Sequence, residues 1–206
     1  MKRNADTTPT VYVVDDDASV RESLSSLIRA EGMKAEVFDS PLDFLAVKDL
    51  QTFACIVLDV RMPGLDGLAL QQEMNARGVD LPIIFITGHG DVPDAVRAMK
   101  AGAIDFLKKP FEDFELLNAL TAALTRVSAK FNERLKIEEL QSRYDHLTPR
   151  EKEVVVLLAE GRQNKFIAFE LGVTESTVKV HRHNALKKMH LRSLPELALA
   201  VQRLRK

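Results

Sequence analysis

The strongest constraint on the fold is a short apolar run that ends in a carboxylate. Residues 55–59, with the sequence CIVLD, are apolar at every position until Asp59, and the turn-forming residues at 62–64 then break the run. Continuous apolar runs of this length are typical of parallel strands that are covered by helices on both faces. In open sheets of this kind, ligands bind outside the carboxyl ends of the strands. The run therefore predicts a buried strand that presents Asp59 at a candidate functional edge.

The rest of the first 111 residues alternates between strand and helix signals. We predict the other strands at residues 10–15, 35–38, 82–86 and 104–107, and helices at residues 18–31, 40–45, 64–77 and 91–101. This alternation is the pattern of βα units around a parallel sheet. The expected fold class is α/β, with a five-stranded doubly wound parallel sheet in the order 2-1-3-4-5. Its switch point lies between strands one and three.

Two of the predicted helices carry apolar residues at helical spacing. In the helix that Ser40 caps, we expect Leu42, Phe44 and Leu45 to face inward. In the helix at residues 91–101, the apolar set is Val92, Val96 and Met99.

A long helical signal follows, from residue 113 to about residue 144. No glycine or proline interrupts residues 111–148. Its apolar residues alternate spacings of three and four up to Phe131, as a coiled-coil seam does, and Leu135 and Leu140 then depart from that rhythm. The first half of this helix completes the α/β domain. The second half is either a charged linker helix alone or a linker helix that also makes dimer contacts.

The last 60 residues show helical signals throughout. Thr148 caps a helix whose first position is Pro149, and Glu151 completes a capping box. We predict further helices at residues 164–171, 175–189 and 195–204, with a glycine-containing turn at residues 172–174. Two short helices joined by such a turn are typical of a helix-turn-helix.

The charge of the chain is divided between its two parts. Residues 148–206 carry 12 lysines and arginines against 6 aspartates and glutamates, a net +6, whereas the remainder carries 17 against 24, a net −7. A basic part is suited to nucleic acid and an acidic part to a metal ion. The asymmetry therefore suggests two separate tasks.

Membrane and disulfide-stabilised classes are not indicated. No apolar stretch approaches the roughly 18 residues of a membrane span, and the N-terminus lacks an apolar signal core. Cys55 is the only cysteine, which excludes an internal disulfide and fits a reducing compartment. Because Cys55 lies within the apolar strand, a packed structural thiol is favoured over a reactive one. We expect a cytoplasmic protein.

Five polar side chains follow the ends of the predicted strands. Asp15, Asp16 and Asp59 end two neighbouring strands, where they would repel one another unless a cation or protons were present. Hard oxygen ligands suit Mg²⁺, and a metal beside a carboxylate suits phosphoryl transfer to that carboxylate. Thr87 and Lys109 end two further strands and provide donors for phosphoryl oxygens. Each residue alone would be an ordinary turn or surface group, but five on one rim favour a site.

This constellation resembles the receiver domain of bacterial two-component response regulators over residues 10–124. The motifs that carry the resemblance are VVDDD (13–17), LDVRMPGLDG (58–67), ITGHGD (86–91) and AMKAGAIDFLKKPF (98–111). The resemblance implies that Asp59 accepts a phosphoryl group from the phosphohistidine of a sensor histidine kinase. It also implies that Asp16, Asp59 and the backbone carbonyl of Arg61 bind Mg²⁺, with Asp15 helping through water.

The same resemblance assigns the residues that read the phosphoryl group. Thr87 and Lys109 would contact it. Phe106 stands at the aromatic switch position, where the side chain changes rotamer on phosphorylation. Because Phe106 replaces the tyrosine of many receivers, a hydrogen bond from a ring hydroxyl is not available here.

Residues 147–189 resemble a LuxR-type helix-turn-helix, through the sequence LTPREKEVVVLLAEGRQNKFIAFELGVTESTVKVHRHNALKKM. Together the two resemblances place the chain with the FixJ/NarL response regulators, and GHGDVP (88–93) and VKVHRHN (178–184) favour the FixJ/StyR-like branch. They imply three segments, namely a receiver domain at residues 9–124, a linker helix at residues 125–145 and a helix-turn-helix DNA-binding domain at residues 146–206.

The second helix of the helix-turn-helix, residues 175–189, would enter DNA. Lys179, Val180 and His183 share one face, where lysine can donate to guanine or phosphate and valine can touch a thymine methyl. His183 contacts DNA or faces solvent, and Lys187 contacts phosphate or belongs to a solvated face. The full set of candidate DNA contacts is Asn164, Lys165, Thr177, Lys179, Val180, Arg182, His183 and Lys187.

The function implied by both resemblances is phosphorylation-controlled transcription regulation. Phosphorylation would favour a homodimer through the receiver, with Val96, Met99 and Lys100 as the candidate dimer face; ordinary packing is the alternative for these three. The dimer would bind two operator half-sites. Two other functions compete with this one. A metal-dependent aspartyl-phosphate phosphatase would need a second acid or base near Asp59, and an interaction module without phosphorylation would not need all five rim groups. We expect a regulator and not an enzyme.

Overall fold

The computed structural model describes residues 8–88 and 92–205. The chain forms two compact units, residues 1–130 and residues 131–206, and a long helix contributes to both of them. The predicted start of the fourth helix, at Asp91, lies outside the described residues.

The first unit contains a five-stranded parallel sheet in the order β2-β1-β3-β4-β5, as predicted. The strands are β1 Thr10–Val14, β2 Lys34–Phe38, β3 Ala54–Asp59, β4 Ile83–Thr87 and β5 Asp105–Lys108. The helices are α1 Ala18–Ala30, α2 Pro41–Leu45, α3 Gly67–Ala76, α4 Val92–Lys100 and α5 Asp113–Asp145. Most of these bounds lie within one or two residues of the predicted ones, which confirms the α/β assignment.

Two apolar layers cover the two faces of the sheet. All six residues of β3 are buried, as are all five of β1 and of β4. Successive residues of each strand enter opposite layers: Ile56 and Leu58 pack in one, and Cys55 and Val57 in the other. Burial raises the pKa of the Cys55 thiol to about 12, so this side chain is a packed structural thiol. The central strands are thereby held rigidly in register at their carboxyl ends.

One apolar assignment from the sequence is corrected by the structure. Leu42 is 66% exposed, whereas Phe44 is buried. The buried residues of this five-residue helix are Pro41 and Phe44, and Leu42 points about 100° away from Pro41 and about 160° away from Phe44. On α4 the buried residue is Ala98, while Val92, Val96 and Met99 are 75%, 45% and 46% exposed.

The start of α3 also differs from the prediction, which placed it at Gly64. The helix begins at Gly67 because the side chain of Asp66 caps it, accepting a hydrogen bond from the Ala69 amide at 2.7 Å. Gly64 lies outside the helix with φ +79°, a left-handed conformation that favours glycine. A Cβ atom on Gly67 would lie 2.2 Å from the carbonyl oxygen of Asp59. Gly67 therefore permits the close approach of α3 to the end of β3.

The second unit is built from the end of α5 and four further helices. These are α6 Pro149–Ala159, α7 Asn164–Leu171, α8 Glu175–Lys188 and α9 Leu194–Leu204. The predicted capping box of Thr148 and Glu151 is present. Gly172 follows α7 with φ +65°, and Thr174 then caps α8. This geometry confirms the helix-turn-helix prediction.

The second unit has its own hydrophobic core. The buried side chains come from all four of these helices and include Val154, Ile167, Val178, Ala185 and Leu197. Leu140 and Tyr144, at the end of α5, pack against this core. The positions of α7 and α8 are thus fixed by apolar contacts on one side, which leaves their other side for recognition.

An ion pair between the buried Glu151 and the exposed Lys188 joins the start of α6 to the end of α8. The Glu151 carboxylate accepts hydrogen bonds from the Lys188 ammonium at 2.7 Å and from the Thr148 amide at 2.8 Å. Burial alone would raise the pKa of Glu151, but these hydrogen bonds outweigh it and hold that pKa below its usual range. Glu151 therefore stabilises the fold in its ionised form.

Glu151→Gln should lower the free energy of unfolding of the second unit by about 1–2 kcal/mol at pH 7, because a buried charged acceptor is lost. Since the folded-state pKa is lowered, the ionised Glu151 stabilises above the unfolded-state pKa, and this stabilisation disappears as pH falls through the folded-state pKa. Hydrogen exchange in residues 149–188 at pH 7 and in acid measures both effects. The control Glu153→Gln removes an exposed carboxylate of the same helix and should change stability by less than about 0.5 kcal/mol.

Gly67→Ala should destabilise the first unit by about 1–3 kcal/mol, because the new methyl group would collide with backbone and not with a flexible side chain. Thermal unfolding followed by circular dichroism measures the loss. Gly88→Ala is the matched control: nothing lies within 4 Å of its added Cβ, and its effect should stay within about 0.5 kcal/mol. Equal stabilities of the two variants would contradict this account of Gly67.

Candidate functional site

Three of the five predicted rim groups meet at the carboxyl ends of the strands. Asp59 ends β3, Asp15 follows β1, and Lys109 follows β5. The Lys109 ammonium donates to Asp59 Oδ1 at 2.8 Å and to Asp15 Oδ2 at 2.6 Å. Because β4 separates β3 from β5, the lysine side chain reaches across one strand to make both contacts. The order of the strands therefore assembles this site.

The second oxygen of each carboxylate is held by the backbone. Asp59 Oδ2 accepts from the Arg61 amide at 2.7 Å, and Asp15 Oδ1 accepts from the Asp17 amide at 2.9 Å. Each carboxylate is thus fixed in orientation by one amide and one ammonium. A nucleophile with a fixed orientation loses less freedom when it reacts.

The site contains more negative than positive charge. Burial raises the pKa of the Asp59 carboxyl, the ammonium of Lys109 opposes this, and the negative charge of Asp15 adds to the rise. Burial alone would lower the pKa of Lys109, but the two carboxylates outweigh it and raise that pKa. One ammonium therefore faces two carboxylates, and a further cation would stabilise their charged forms.

The donor set of the rim suits a hard divalent cation. Asp15 and Asp59 are buried and fixed, and the neighbouring Asp16 is exposed. Carboxylate and carbonyl oxygens that leave room for water are the ligands that Mg²⁺ prefers. Within residues 8–88 and 92–205, however, no three acidic, histidine or cysteine side chains already surround one metal position. The residues fit Mg²⁺ by their chemistry, with Asp16 still turned toward solvent.

Thr87 and Phe106 occupy the neighbouring strands. Thr87 ends β4, is fully buried, and accepts a hydrogen bond from the Lys109 amide through its backbone oxygen at 2.7 Å. Phe106 lies in β5 opposite Phe85, with 6.1 Å between the ring centroids, and is partly exposed. The structure therefore places Thr87 on the rim beside Lys109, and Phe106 on the adjacent strand.

The sequence prediction missed two residues that support the site. Asp17 caps α1 by accepting a hydrogen bond from the Ser19 amide at 2.8 Å. Arg21 donates to the backbone oxygen of Asp15 at 2.6 Å. An aspartate directly before a helical pattern is a recognisable capping signal, so Asp17 was predictable. No spacing rule identifies Arg21.

In the second unit, α8 presents an exposed polar face. Lys179, His183 and Lys187 are exposed, and Val180 is 57% exposed between them. Arg182 and Thr177 are partly buried, and the Thr177 hydroxyl lies 2.8 Å from that of Thr174. On α7, Lys165 is exposed and Asn164 is partly buried. The predicted DNA-contacting residues thus lie on the two helices of the helix-turn-helix.

No helix in the described part of the chain is both long enough and apolar enough to cross a membrane. His89, two residues after Thr87 in the sequence, lies outside the described residues.

Known families match both parts of the chain. The family described as the response regulator receiver domain matches residues 11–121, and the luxR family of bacterial regulatory proteins matches residues 145–201. Nodulation protein W of Bradyrhizobium diazoefficiens is 47% identical over 94% of this chain and 85% of its own length. Transcriptional regulatory protein FixJ of Azorhizobium caulinodans is 45% identical over 91% of this chain and 89% of its own length.

Solved structures agree with these matches. The structure of the response regulator StyR is similar with a TM-score of 0.79 and 47% identity, and the match covers 95% of this chain and 99% of StyR. Full-length FixJ from B. japonicum is similar with a TM-score of 0.57 and 40% identity, over 95% of this chain and 97% of FixJ. The chain therefore belongs to the FixJ-like bacterial response regulators, transcription regulators that join a phosphorylation-controlled receiver domain to a LuxR-type DNA-binding domain.

Proposed function

We propose that Asp59 accepts a phosphoryl group from the phosphohistidine of a sensor histidine kinase. In this step an Asp59 carboxylate oxygen forms a bond to phosphorus while the bond from phosphorus to the imidazole nitrogen breaks. The observation that carries the proposal is the convergence of Asp59 and Asp15 on the Lys109 ammonium, at 2.8 and 2.6 Å. That ammonium is placed to contact the phosphoryl oxygens, with the Thr87 hydroxyl as a second donor.

The site is proposed to hold Mg²⁺ through Asp16, Asp59 and the backbone carbonyl of Arg61, with Asp15 acting through water. The cation supplies neutralising charge for phosphoryl transfer. The excess of carboxylate over ammonium on the rim supports this assignment. Asp16 has to turn inward from its exposed position for it to contribute.

Three segments divide these tasks in our proposal: a receiver domain at residues 9–124, a linker helix at residues 125–145 and a DNA-binding domain at residues 146–206. The family matches at residues 11–121 and 145–201 support the two outer segments. We place the protein in the cytoplasm, where a single buried cysteine stays reduced.

Phosphorylation is proposed to change the receiver through Thr87 and Phe106. As the Thr87 hydroxyl moves toward the phosphoryl group, the Phe106 ring enters the space beside it. A homodimer then forms through the face that contains Val96, Met99 and Lys100. Exposed apolar side chains on a helix with charged neighbours support a protein contact at this face.

The dimer is proposed to bind a double-stranded DNA operator with half-sites about 34–36 Å apart. Lys179, Val180, Arg182 and His183 would read bases. Contacts to the DNA phosphate backbone, which position the protein on the duplex, would come from Asn164, Lys165, Thr177 and Lys187. Their distribution over the outer sides of α7 and α8 supports this assignment.

A regulator explains the site better than an aspartyl-phosphate phosphatase. Hydrolytic turnover needs an acid or base near the nucleophile, and the position two residues after Asp59 holds Arg61 instead. The guanidinium of Arg61 pairs with Asp94 at 2.8 Å and, because it stays protonated, cannot act as a general base. We therefore assign no enzymatic turnover to this chain.

Asp59→Asn should abolish labelling by acetyl phosphate with Mg²⁺, because the amide is a poor nucleophile, and should abolish phosphorylation-dependent dimerisation. Phosphate-affinity electrophoresis and light scattering measure the two effects. Asp80→Asn is the control: this exposed carboxylate pairs with Lys130 away from the rim, and its removal should leave labelling unchanged. Normal labelling or dimerisation of Asp59→Asn would refute the assignment of the acceptor.

Lys179→Ala should weaken binding to a selected operator by about 1–3 kcal/mol if Lys179 reads a base. The operator can be obtained by selection from random DNA and the affinity measured by fluorescence anisotropy. Lys187→Ala should instead weaken binding to all sequences alike and reduce the slope of log affinity against log salt by about one. Equal losses on operator and random DNA for Lys179→Ala would assign that residue to the backbone.

A further inference from the structure

Arg61 contacts both the acceptor residue and a distant helix. Its backbone amide donates to Asp59 Oδ2 at 2.7 Å. Its guanidinium donates to Asp94 Oδ2 at 2.8 Å, in the first turn of α4. A single residue therefore connects the oxygen that would sit beside a phosphoryl group to the helix that carries Val96 and Met99.

The ion pair is asymmetric in its exposure. The Arg61 side chain is 57% exposed, whereas that of Asp94 is 14% exposed. A second cation, Arg97 of the same helix, lies 3.8 Å from Asp94 Oδ1. Asp94 therefore keeps a nearby positive charge if Arg61 leaves it, which lowers the cost of separating the pair.

We propose that Arg61 is a positioning residue that transmits the charge of Asp59 to α4. Phosphorylation replaces the single negative charge of the Asp59 carboxylate with the charge of about −1.5 to −2 of a phosphoryl group, and it places three acceptor oxygens beside the Arg61 amide. A guanidinium binds phosphate in a bidentate manner and more strongly than a single shared carboxylate oxygen. The side chain then leaves Asp94 for the phosphoryl group, and α4 is released from the loop after β3. This inference rests on the proposed phosphorylation of Asp59.

The pair thus favours the unphosphorylated arrangement of α4. Partly exposed ion pairs of this kind change an equilibrium by about two- to fivefold. The pair accordingly adjusts the switch and does not by itself determine it. The remaining change comes from Lys109, Thr87 and Phe106.

The test compares Asp94→Asn with wild type. Without phosphorylation, the variant should dimerise about two- to fivefold more tightly in sedimentation equilibrium, and α4 should exchange its amide hydrogens faster. Acetyl phosphate with Mg²⁺ should then increase dimerisation by a correspondingly smaller factor. Arg97→Gln removes the weaker partner of Asp94 and keeps the pair with Arg61, so it should increase neither dimerisation without phosphorylation nor exchange in α4.

A double-mutant cycle separates the ion pair from the stability of α4 itself. Asp94 lies in the first turn of the helix, where a carboxylate also interacts with the helix dipole. Arg61→Gln breaks the pair and leaves that interaction intact, so it should also increase exchange in α4. The double variant should show no more than the larger single effect. Asp94→Glu should restore wild-type values, because it restores the charge.

Each result decides for or against the inference. Additive effects of Arg61→Gln and Asp94→Asn would overturn it, as would wild-type exchange and dimerisation in Asp94→Asn. Failure of Asp94→Glu to restore either value would also overturn it. If wild-type Asp59 cannot be labelled at all, the proposed function itself is wrong. If wild-type Asp59 is labelled normally but Arg61→Gln leaves amide exchange in α4 unchanged, only the role of Arg61 is overturned.

Discussion

Two buried carboxylates that share one ammonium are the interaction on which the receiver depends. Asp15 and Asp59 lie close together only because β1 and β3 are neighbours in the sheet, and Lys109 reaches them only because β5 ends on the same rim. Burial destabilises the charged form of Asp59, and the Lys109 ammonium stabilises it. The same imbalance creates a need for further positive charge. The proposed Mg²⁺ would supply that charge, and the proposed phosphoryl group, which is itself anionic, would increase the need for it.

Much of this arrangement could be predicted from the sequence, because parallel strands place their carboxyl ends on one edge. The apolar run before Asp59 identified β3, and the polar residues after the other strands identified the rim. The start of α3 was predicted wrongly because a glycine after a turn was taken as the helix start, whereas the Asp66 cap determined it. Arg21 and Asp94 were not found because their contacts depend on side chains from separate elements meeting in space.

The sequence also did not determine which side chains of a single helix face inward. Val178 and Val180 are identical in chemistry, yet Val178 is fully buried and Val180 is exposed. Two residues on a helix differ by about 200° in direction, so a spacing of two separates core from surface. Periodicity could establish that they differ, but only the packing of α6 and α7 against α8 establishes which one faces inward. On α4, the sequence predicted an apolar set that includes Val96 and Met99, and the structure shows that Ala98 is the residue that packs inward.

The burial of Asp59 also affects how long a phosphoryl group on it would last. In the proposed function Asp59 carries an acyl phosphate, which is lost when water attacks its phosphorus. The Lys109 ammonium and the loop backbone occupy the flanks of the carboxylate. The lifetime of the proposed phosphoryl group would therefore depend on the receiver as much as on the kinase. The regulator would then stay active for as long as these groups keep water from the acyl phosphate.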